Sequence, residues 1–140
     1  MEKPNSLSIE TTLEIPFHDV DLMGVSWHGH YVKYLEIARC KLLDSIDYNY
    51  MQMQESGYAW PVIDMRLRYA KPAKFQQKVK IIATIIEWEH RLKISYLIRD
   101  LVSEERITKA YTVQVAVDIS NGEMLFASPP ALIDRVEANL

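Results

Sequence analysis

A change in the spacing of apolar residues constrains the fold of this chain most strongly. Between residues 31 and 46, apolar side chains recur every three or four positions, at Tyr31, Leu35, Ala38, Leu42 and Ile46. This spacing places them on one face of a helix. On both sides of that segment apolar and polar residues alternate, which is typical of half-buried strands. The pattern therefore predicts one long helix, from about Gly29 to the polar region at residues 47–50, together with a sheet.

Five stretches have the pattern of strands, at residues 9–17, 63–69, 79–86, 92–98 and 111–119, and the third of them is apolar on both faces. Phe17 ends the apolar face of the first stretch. The last stretch carries Tyr111, Val113 and Val115 on one face and Thr112 and Gln114 on the other. Most connections between the later strands are short enough for hairpins, which predicts an antiparallel sheet.

The remaining segments carry weaker signals. Asn121-Gly122 predicts a type I′ turn into a short returning strand at residues 124–126. Ser128 precedes two prolines, a pattern that predicts the N-cap of a short terminal helix reaching about Val136. Residues 51–57 fit either a short helix or a loop.

The sheet and the helix differ in width. Five strands at about 4.8 Å spacing are more than twice as wide as one helix of about 10 Å. We therefore expect the sheet to curl around the helix in a single domain, residues 1–140. Apolar surface that the helix leaves uncovered favours a homodimer or homotetramer.

Composition excludes several classes of protein. Of the 140 residues, 49% are apolar and 25% are charged, as in an ordinary globular domain. The net charge of −3 disfavours a nucleic-acid platform, and the apolar runs are too short to span a membrane. The single cysteine, Cys40, allows no internal disulfide. Because Met1–Ser6 lacks the apolar stretch of a signal peptide, we expect a cytoplasmic protein.

Residues 17–31, between the first strand and the long helix, hold the densest group of reactive residue types. Three of the four histidines, two carboxylates and two of the four glycines fall in this stretch. A helix N-terminus offers unpaired N–H groups that can hold a developing oxyanion, and a nearby carboxylate can act as a nucleophile or a base. Gly24 and Gly29 allow close approach to a ligand. The stretch therefore favours acyl transfer, although its spacing is not unique to that chemistry.

At these residues the chain resembles a known family. The motif Asp-x-Asp-x-x-Gly-x-x-x-His-x-x-Tyr (residues 19–31), residues 34–39 and Tyr69-Ala70-Lys71-Pro72-Ala73 resemble the 4-hydroxybenzoyl-CoA thioesterase-like acyl-CoA thioesterases, most of all the Tol-Pal-associated branch. The resemblance covers about residues 7–127. It implies the α+β hot-dog fold, in which a curved antiparallel sheet of about five strands wraps one long helix, and an oligomer with active sites at the dimer interface.

The resemblance also implies roles for single residues. Asp21 matches the family's catalytic carboxylate and His28 the histidine beside it. The expected substrate contacts are Gly24, Val25, Trp27, Gly29, His30 and Tyr31. Lys71 and Lys74 are candidates for binding the phosphates of coenzyme A, which enters as part of an acyl-CoA or acyl-carrier-protein substrate. The implied reaction is thioester hydrolysis, which needs no metal or other cofactor.

Three departures from the family pattern bear on the substrate. Phe17 lies where close relatives often have tyrosine, and His30 lies where asparagine is frequent. Residues 75–77 lie where acidic residues are common in the family. Two alternatives therefore stay open. One is a module that binds acyl-CoA or acyl-carrier protein without turnover, and the other is a hydratase or dehydratase of the same fold.

Several neighbouring residues have plainer interpretations. Asp19 fits a turn residue or a support for the site, and Ser26 fits a helix cap. Glu36 is a second candidate carboxylate, but a pair with Arg39 at a subunit contact is favoured. A metal site built from Asp21, His28 and His30 is disfavoured, because two histidines two residues apart at a helix start are poorly arranged for one ion.

Overall fold

The structure of the chain, a computed structural model, describes residues 7–140. The expectation about a signal peptide concerns residues 1–6 and lies outside the described residues. The described part runs β1 (Leu7–Glu14), α1 (Tyr31–Ser45), α2 (Tyr50–Glu55), β2 (Tyr58–Ala59), β3 (Val62–Tyr69), β4 (Lys78–Glu87), β5 (Leu92–Asp100), β6 (Arg106–Gln114), β7 (Val117–Asp118) and α3 (Pro130–Ala138). Among these helices, none is both long and apolar enough to cross a lipid bilayer.

Five strands form one antiparallel sheet in the order β1-β4-β5-β6-β3, and β2 pairs with β7 in a separate two-stranded sheet. The long helix α1 packs against β1 and β4. The predicted α+β architecture of one long helix on a five-stranded antiparallel sheet is confirmed.

The core lies between α1 and the sheet. All five residues of the predicted helix face are buried, and they meet the buried sides of β4 (Val79, Ile81, Ala83, Ile85) and β5 (Leu92, Ile94, Tyr96, Ile98). Each large apolar side chain buried in this way contributes about 1.5–3 kcal/mol before entropy is counted. Burial alternates along β4 and β5 because one face is turned to the helix, even though the sequence of β4 is apolar on both faces.

Strand β6 differs from its prediction in bounds and in orientation. It ends at Gln114 rather than continuing to residue 119. Its register pairs Thr108 with Ile98 and Thr112 with Ile94. Directly opposed residues share a face, so the threonines, not Tyr111 and Val113, point towards the helix. The small Thr108, Ala110 and Thr112 leave room for the large side chains of β5.

The first strand is shorter than predicted. It ends at Glu14, and Phe17 begins a 3-10 turn (Phe17–Asp19) that follows Pro16. Proline cannot donate to a strand ladder, so it marks this end. The Phe17 side chain is exposed and its ring contacts that of Phe75, with 5.5 Å between the ring centroids.

Two terminal features were also predicted wrongly. Gly122 has a φ of +73°, but Asn121 does not share a positive φ, so the turn is not type I′. The returning segment makes only an isolated bridge between Val117 and Met124. Helix α3 does start at Pro130, yet its N-cap is Pro129 and the Ser128 hydroxyl makes no capping bond.

The undecided segment at residues 51–57 contains a helix. The Asn49 side chain accepts a hydrogen bond from the Gln52 N–H at 3.0 Å, and the Gln52 side chain accepts one from the Asn49 N–H at 2.8 Å. This capping box starts α2 at Tyr50.

Candidate active site

A hairpin loop, residues 19–27, carries the predicted catalytic carboxylate. Its two arms pair through hydrogen bonds from the Trp27 N–H to the Asp19 carbonyl (3.1 Å) and from the Asp21 N–H to the Val25 carbonyl (3.0 Å). Gly24 closes the loop with a φ of +74°, a left-handed conformation that glycine adopts without strain. Asp21 is therefore placed by a small, locally bonded unit.

The segment 73–75 holds this hairpin loop from its other side. The Ser26 N–H donates to the Ala73 carbonyl at 2.6 Å, and the Phe75 N–H donates to the Gly24 carbonyl at 2.9 Å. The Ala73 N–H in turn donates to the Tyr31 hydroxyl at 2.8 Å. The Tyr69–Ala73 motif is thereby attached to the first turn of α1.

The Asp21 side chain is exposed at the start of the tight turn. Its Oδ1 accepts a hydrogen bond from the Met23 N–H at 2.8 Å, the usual geometry of an aspartate turn. No other hydrogen bond to its carboxylate is found within residues 7–140, so Oδ2 is available to a substrate or a water molecule.

The chain enters α1 through a 3-10 turn (His28–His30) rather than directly. The Tyr31 N–H donates back to the His28 carbonyl, which also accepts from the Tyr69 hydroxyl at 3.1 Å. For the N–H groups of His28 and Gly29 we find no acceptor in the described part of the chain. These are the unpaired donors expected at a helix start.

Position 29 requires glycine because the Trp27 ring occupies the place that a Cβ atom would take. A Cβ atom at this position would lie 2.1 Å from a ring carbon of Trp27. The Trp27 ring also contacts the rings of His28 and His30, with centroids 4.9 and 5.5 Å apart. The absent side chain at Gly29 thus lets Trp27 lie across the start of the helix.

A cavity of about 370 Å³ opens at this point. It brings together six of the predicted site residues, namely Asp21, Val25, Trp27, His28, Tyr31 and Lys71. Ser26, Tyr69, Ala70 and Pro72 complete its wall. Residues from the hairpin loop, the helix start and the end of β3 therefore converge on one space.

Four predicted substrate contacts do not line this cavity: Gly24, Gly29, His30 and Lys74. The two glycines shape the backbone around it. The His30 ring is directed to Asp19, with Nδ1 3.7 Å from Oδ1. Lys74 stands beside Val25 in an isolated bridge and is exposed.

Lys71 and Glu36 both take part in surface ion pairs. Lys71 pairs with Glu105, so binding a phosphate would require Lys71 to leave this carboxylate. Glu36 is exposed, and its Oε1 lies 3.8 Å from Nη2 of Arg39, the favoured partner, whose side chain is mostly buried. Of these two pairs, Lys71–Glu105 is exposed on both sides, and such pairs contribute about 0–1 kcal/mol.

The sequence analysis did not identify Asp19 as a buried residue. It is 1% exposed, and its carboxylate accepts hydrogen bonds from Lys33 Nζ at 2.6 Å and from the Tyr34 hydroxyl at 2.8 Å. Burial raises the pKa of Asp19, but the bonds from Lys33 and Tyr34 outweigh it and hold that pKa below its ordinary value. Asp19 is therefore a buried carboxylate that stays ionised.

Ser26 does not cap a helix, in contrast to its prediction. Its hydroxyl lies 2.8 Å from the Tyr34 hydroxyl, in a buried hydrogen bond. Burial and the neighbouring Asp19 raise the pKa of Tyr34 well above its ordinary value, so the phenol keeps its proton. Burial likewise raises the pKa of Tyr31 and of Tyr69 in the cavity wall.

A second cavity, of about 980 Å³, lies beside the C-terminal half of α1 and α2. Its wall is rich in apolar and aromatic side chains, among them Leu43, Met53 and Trp60. It is larger, but it contains none of the predicted catalytic residues, so the smaller cavity is the candidate active site. Across residues 7–140, no three His, Cys, Asp or Glu side chains are grouped to hold a metal ion.

Comparison with known proteins shows the family of the chain. Residues 15–137 match the profile of the thioesterase-like superfamily. The protein sll0410 of Synechocystis sp., whose name proposes an esterase, is 29% identical over 91% of this chain and 77% of its own length. YneP of Bacillus subtilis, whose name proposes an acyl-CoA thioesterase, is 27% identical over 60% of each chain.

Solved structures agree on the fold. DHNA-CoA thioesterase from Staphylococcus aureus superposes with a TM-score of 0.77 at 24% identity, covering 85% of this chain and 80% of that one. The resemblance to the Tol-Pal-associated branch stays a prediction. With most of its length matched by the family profile and with the hot-dog arrangement of helix and sheet, the chain belongs to the thioesterase-like superfamily and is a thioester hydrolase.

Proposed function

We propose that this protein hydrolyses acyl-CoA thioesters in the cavity at the start of α1. The observation that carries the proposal is the convergence of Asp21 and His28 on that cavity, beside N–H groups that have no acceptor in the described chain. Water and the thioester give a carboxylic acid and the free thiol of coenzyme A. The names of the relatives support the same class of substrate.

Each group has a defined role in this proposal. Asp21 attacks the thioester carbonyl carbon as a nucleophile or removes a proton from the attacking water. The His28 and Gly29 N–H groups stabilise the negative charge that develops on the carbonyl oxygen. The His28 side chain orients the carbonyl group or the water. A thioester is already activated, so the proposed reaction uses no metal or redox cofactor.

The two ends of the proposed substrate bind in different surroundings. Trp27 and Tyr31 offer aromatic surface in the cavity wall for the part of the substrate next to the thioester. Lys71 and Lys74, both exposed, are proposed to attract the phosphates of coenzyme A or of a carrier-protein arm. We propose in addition a homodimer or homotetramer in the cytoplasm, as the sequence analysis expects.

Thiol release tests this function directly. Wild-type protein is mixed with short, medium, long-chain and aromatic acyl-CoAs and with acyl-carrier protein, and free thiol is measured with a chromogenic disulfide. We expect turnover on at least one group of substrates. Hydration of enoyl-CoA without thiol release would instead indicate a hydratase, and binding without any reaction would indicate a binding module.

A further inference from the structure

We propose that Asp19 is a positioning residue that fixes the hairpin loop, and with it Asp21, through the Tyr34 hydroxyl. This inference rests on the proposed function, because it concerns the placement of the proposed catalytic carboxylate. It assigns a role to the buried Asp19 carboxylate, which takes no part in the proposed chemical step.

The Asp19 carboxylate is built into the interior as an ion. Its side chain has no exposed surface, and Lys33 Nζ and the Tyr34 hydroxyl each donate to a different oxygen. His18 Nε2 and His30 Nδ1 lie farther away, at 3.5 and 3.7 Å from Oδ1. Burying a carboxylate is costly unless it is paired and hydrogen-bonded, so this arrangement is one that the fold must maintain.

The Tyr34 hydroxyl links both arms of the hairpin loop. Asp19 belongs to the first arm and Ser26 to the second, and both contact this one hydroxyl at 2.8 Å. Because a phenol has a single proton and Tyr34 donates it to Asp19, the Ser26 hydroxyl must donate to Tyr34. The bonds therefore run in one direction, from Ser26 through Tyr34 to Asp19.

This chain of bonds fixes the hairpin loop relative to α1. Tyr34 is on the first turn of α1, which directly follows the 3-10 turn that carries the N–H groups proposed to bind the oxyanion. Asp21 is two residues after Asp19. A rotation of either arm would move Asp21 relative to those N–H groups. Catalysis is sensitive to such shifts, since a displacement of about 1 Å can lower a rate by about 100-fold.

Two substitutions of buried tyrosines compare the hairpin loop with a site elsewhere in the core. Tyr34→Phe removes the hydroxyl that joins the arms. Tyr96→Phe removes another buried hydroxyl, bonded to Thr112 at 2.8 Å and remote from the cavity. Tyr34→Phe loses two buried hydrogen bonds, one of them to a carboxylate, whereas Tyr96→Phe loses one, so we expect the larger decrease in melting temperature for Tyr34→Phe.

The kinetic and exchange readouts should differ between the two variants. For Tyr34→Phe we expect kcat to fall about 10- to 100-fold with KM changed less than about threefold. We also expect faster hydrogen exchange at the Asp21 and Trp27 amides, which pair the arms. For Tyr96→Phe we expect kcat, KM and the exchange of these two amides to stay near wild type.

Either measurement can overturn the inference. It is wrong if the two amides exchange equally in both variants, or if they exchange faster in Tyr34→Phe while kcat is unchanged. If the wild-type protein releases no thiol, the proposed function fails, and amide exchange alone then decides whether this bond chain holds the hairpin loop. Lys33→Met, compared with Lys41→Met on the same helix, gives an independent check, with slower turnover expected only for Lys33→Met.

Discussion

At the scale of single residues, the two aspartates of the site differ because of their surroundings. Asp19 is buried, ionised and bonded by Lys33 and Tyr34, whereas Asp21 is exposed at a turn and bonded locally only by the Met23 N–H. A fully satisfied carboxylate is suited to structure. A carboxylate with a free oxygen beside a cavity is suited to chemistry.

The sequence predicts the surroundings of Asp21 better than those of Asp19 for a physical reason. The turn around Asp21 is encoded by neighbours in the chain, including Gly24 with its positive φ. The partners of Asp19 are 14 and 15 residues away on α1. Only the packing of the hairpin loop on the helix brings them together, so the Asp-x-Asp spacing alone does not reveal the burial.

Gly29→Ala should lower activity more than stability. The new Cβ would lie 2.1 Å from the Trp27 ring, and that ring is half exposed, so it can swing outwards at little cost. We expect kcat/KM for thioester hydrolysis to fall about tenfold, because Trp27 leaves the cavity wall. Steady-state kinetics and thermal unfolding measure the two effects.

A double-mutant cycle with Trp27→Ala identifies the cause of that loss. If Gly29→Ala acts by displacing the ring, it should have little further effect once the ring is absent. Equal losses from Gly29→Ala in both backgrounds would show that the backbone, not Trp27, is disturbed.

At the scale of elements, regular periodicity identifies α1, β4 and β5, and it fails for β6. The core side of β6 carries Thr108 and Thr112, both fully buried, opposite Ile98 and Ile94. The outward Val113 is also buried. The hydrophobic pattern therefore indicates the wrong side of β6 as the side that faces the helix. Only small residues such as threonine fit there, because the large side chains of β5 occupy the adjacent space.

The turn between β5 and β6 predicts a dependence of stability on pH. The Asp100 carboxylate accepts bonds from Gln77 Nε2 (2.9 Å) and from the N–H groups of Val102 and Ser103, which lower its pKa to about 2. The unfolded value is about 3.9, so the stabilisation is complete above that value and is lost as pH falls through about 2.

Urea unfolding between pH 2 and pH 7 measures this effect. We expect wild type to be more stable than Asp100→Asn by a constant margin above about pH 5, and the margin to shrink below about pH 4. Gln77→Met keeps the carboxylate but removes its main donor, so its pH-dependent loss of stability should be smaller than in wild type and should be complete at a higher pH. A margin that stays constant down to pH 2 would contradict this account.

At the scale of the whole molecule, β3 forms one edge of the sheet and exposes apolar side chains. Val62, Ile63 and Tyr69 are all exposed on this strand. Edge strands with free backbone groups and apolar surface are prone to pair with another copy. The edge also ends at Tyr69, in the wall of the candidate active-site cavity.

We therefore expect Ile63→Lys to weaken the proposed oligomer. Light scattering after size-exclusion chromatography should show a dimer or tetramer for wild type and a shift to monomer for the variant. Val102→Lys, which adds the same charge at a more exposed site in the β5–β6 turn, serves as the control. A wild-type monomer, or the same shift in both variants, would refute this interface.

The central claim, that Asp21 performs thioester hydrolysis, is tested most directly by thiol release from Asp21→Asn. Amide and carboxylate have nearly the same shape, and Asp134→Asn on the exposed side of α3 provides a matched control. We predict that Asp21→Asn loses more than about 100-fold in kcat, or ~2.7 kcal/mol of barrier, with an unchanged melting temperature, while Asp134→Asn matches wild type. Full activity in Asp21→Asn would contradict the account and make Glu36 the next candidate.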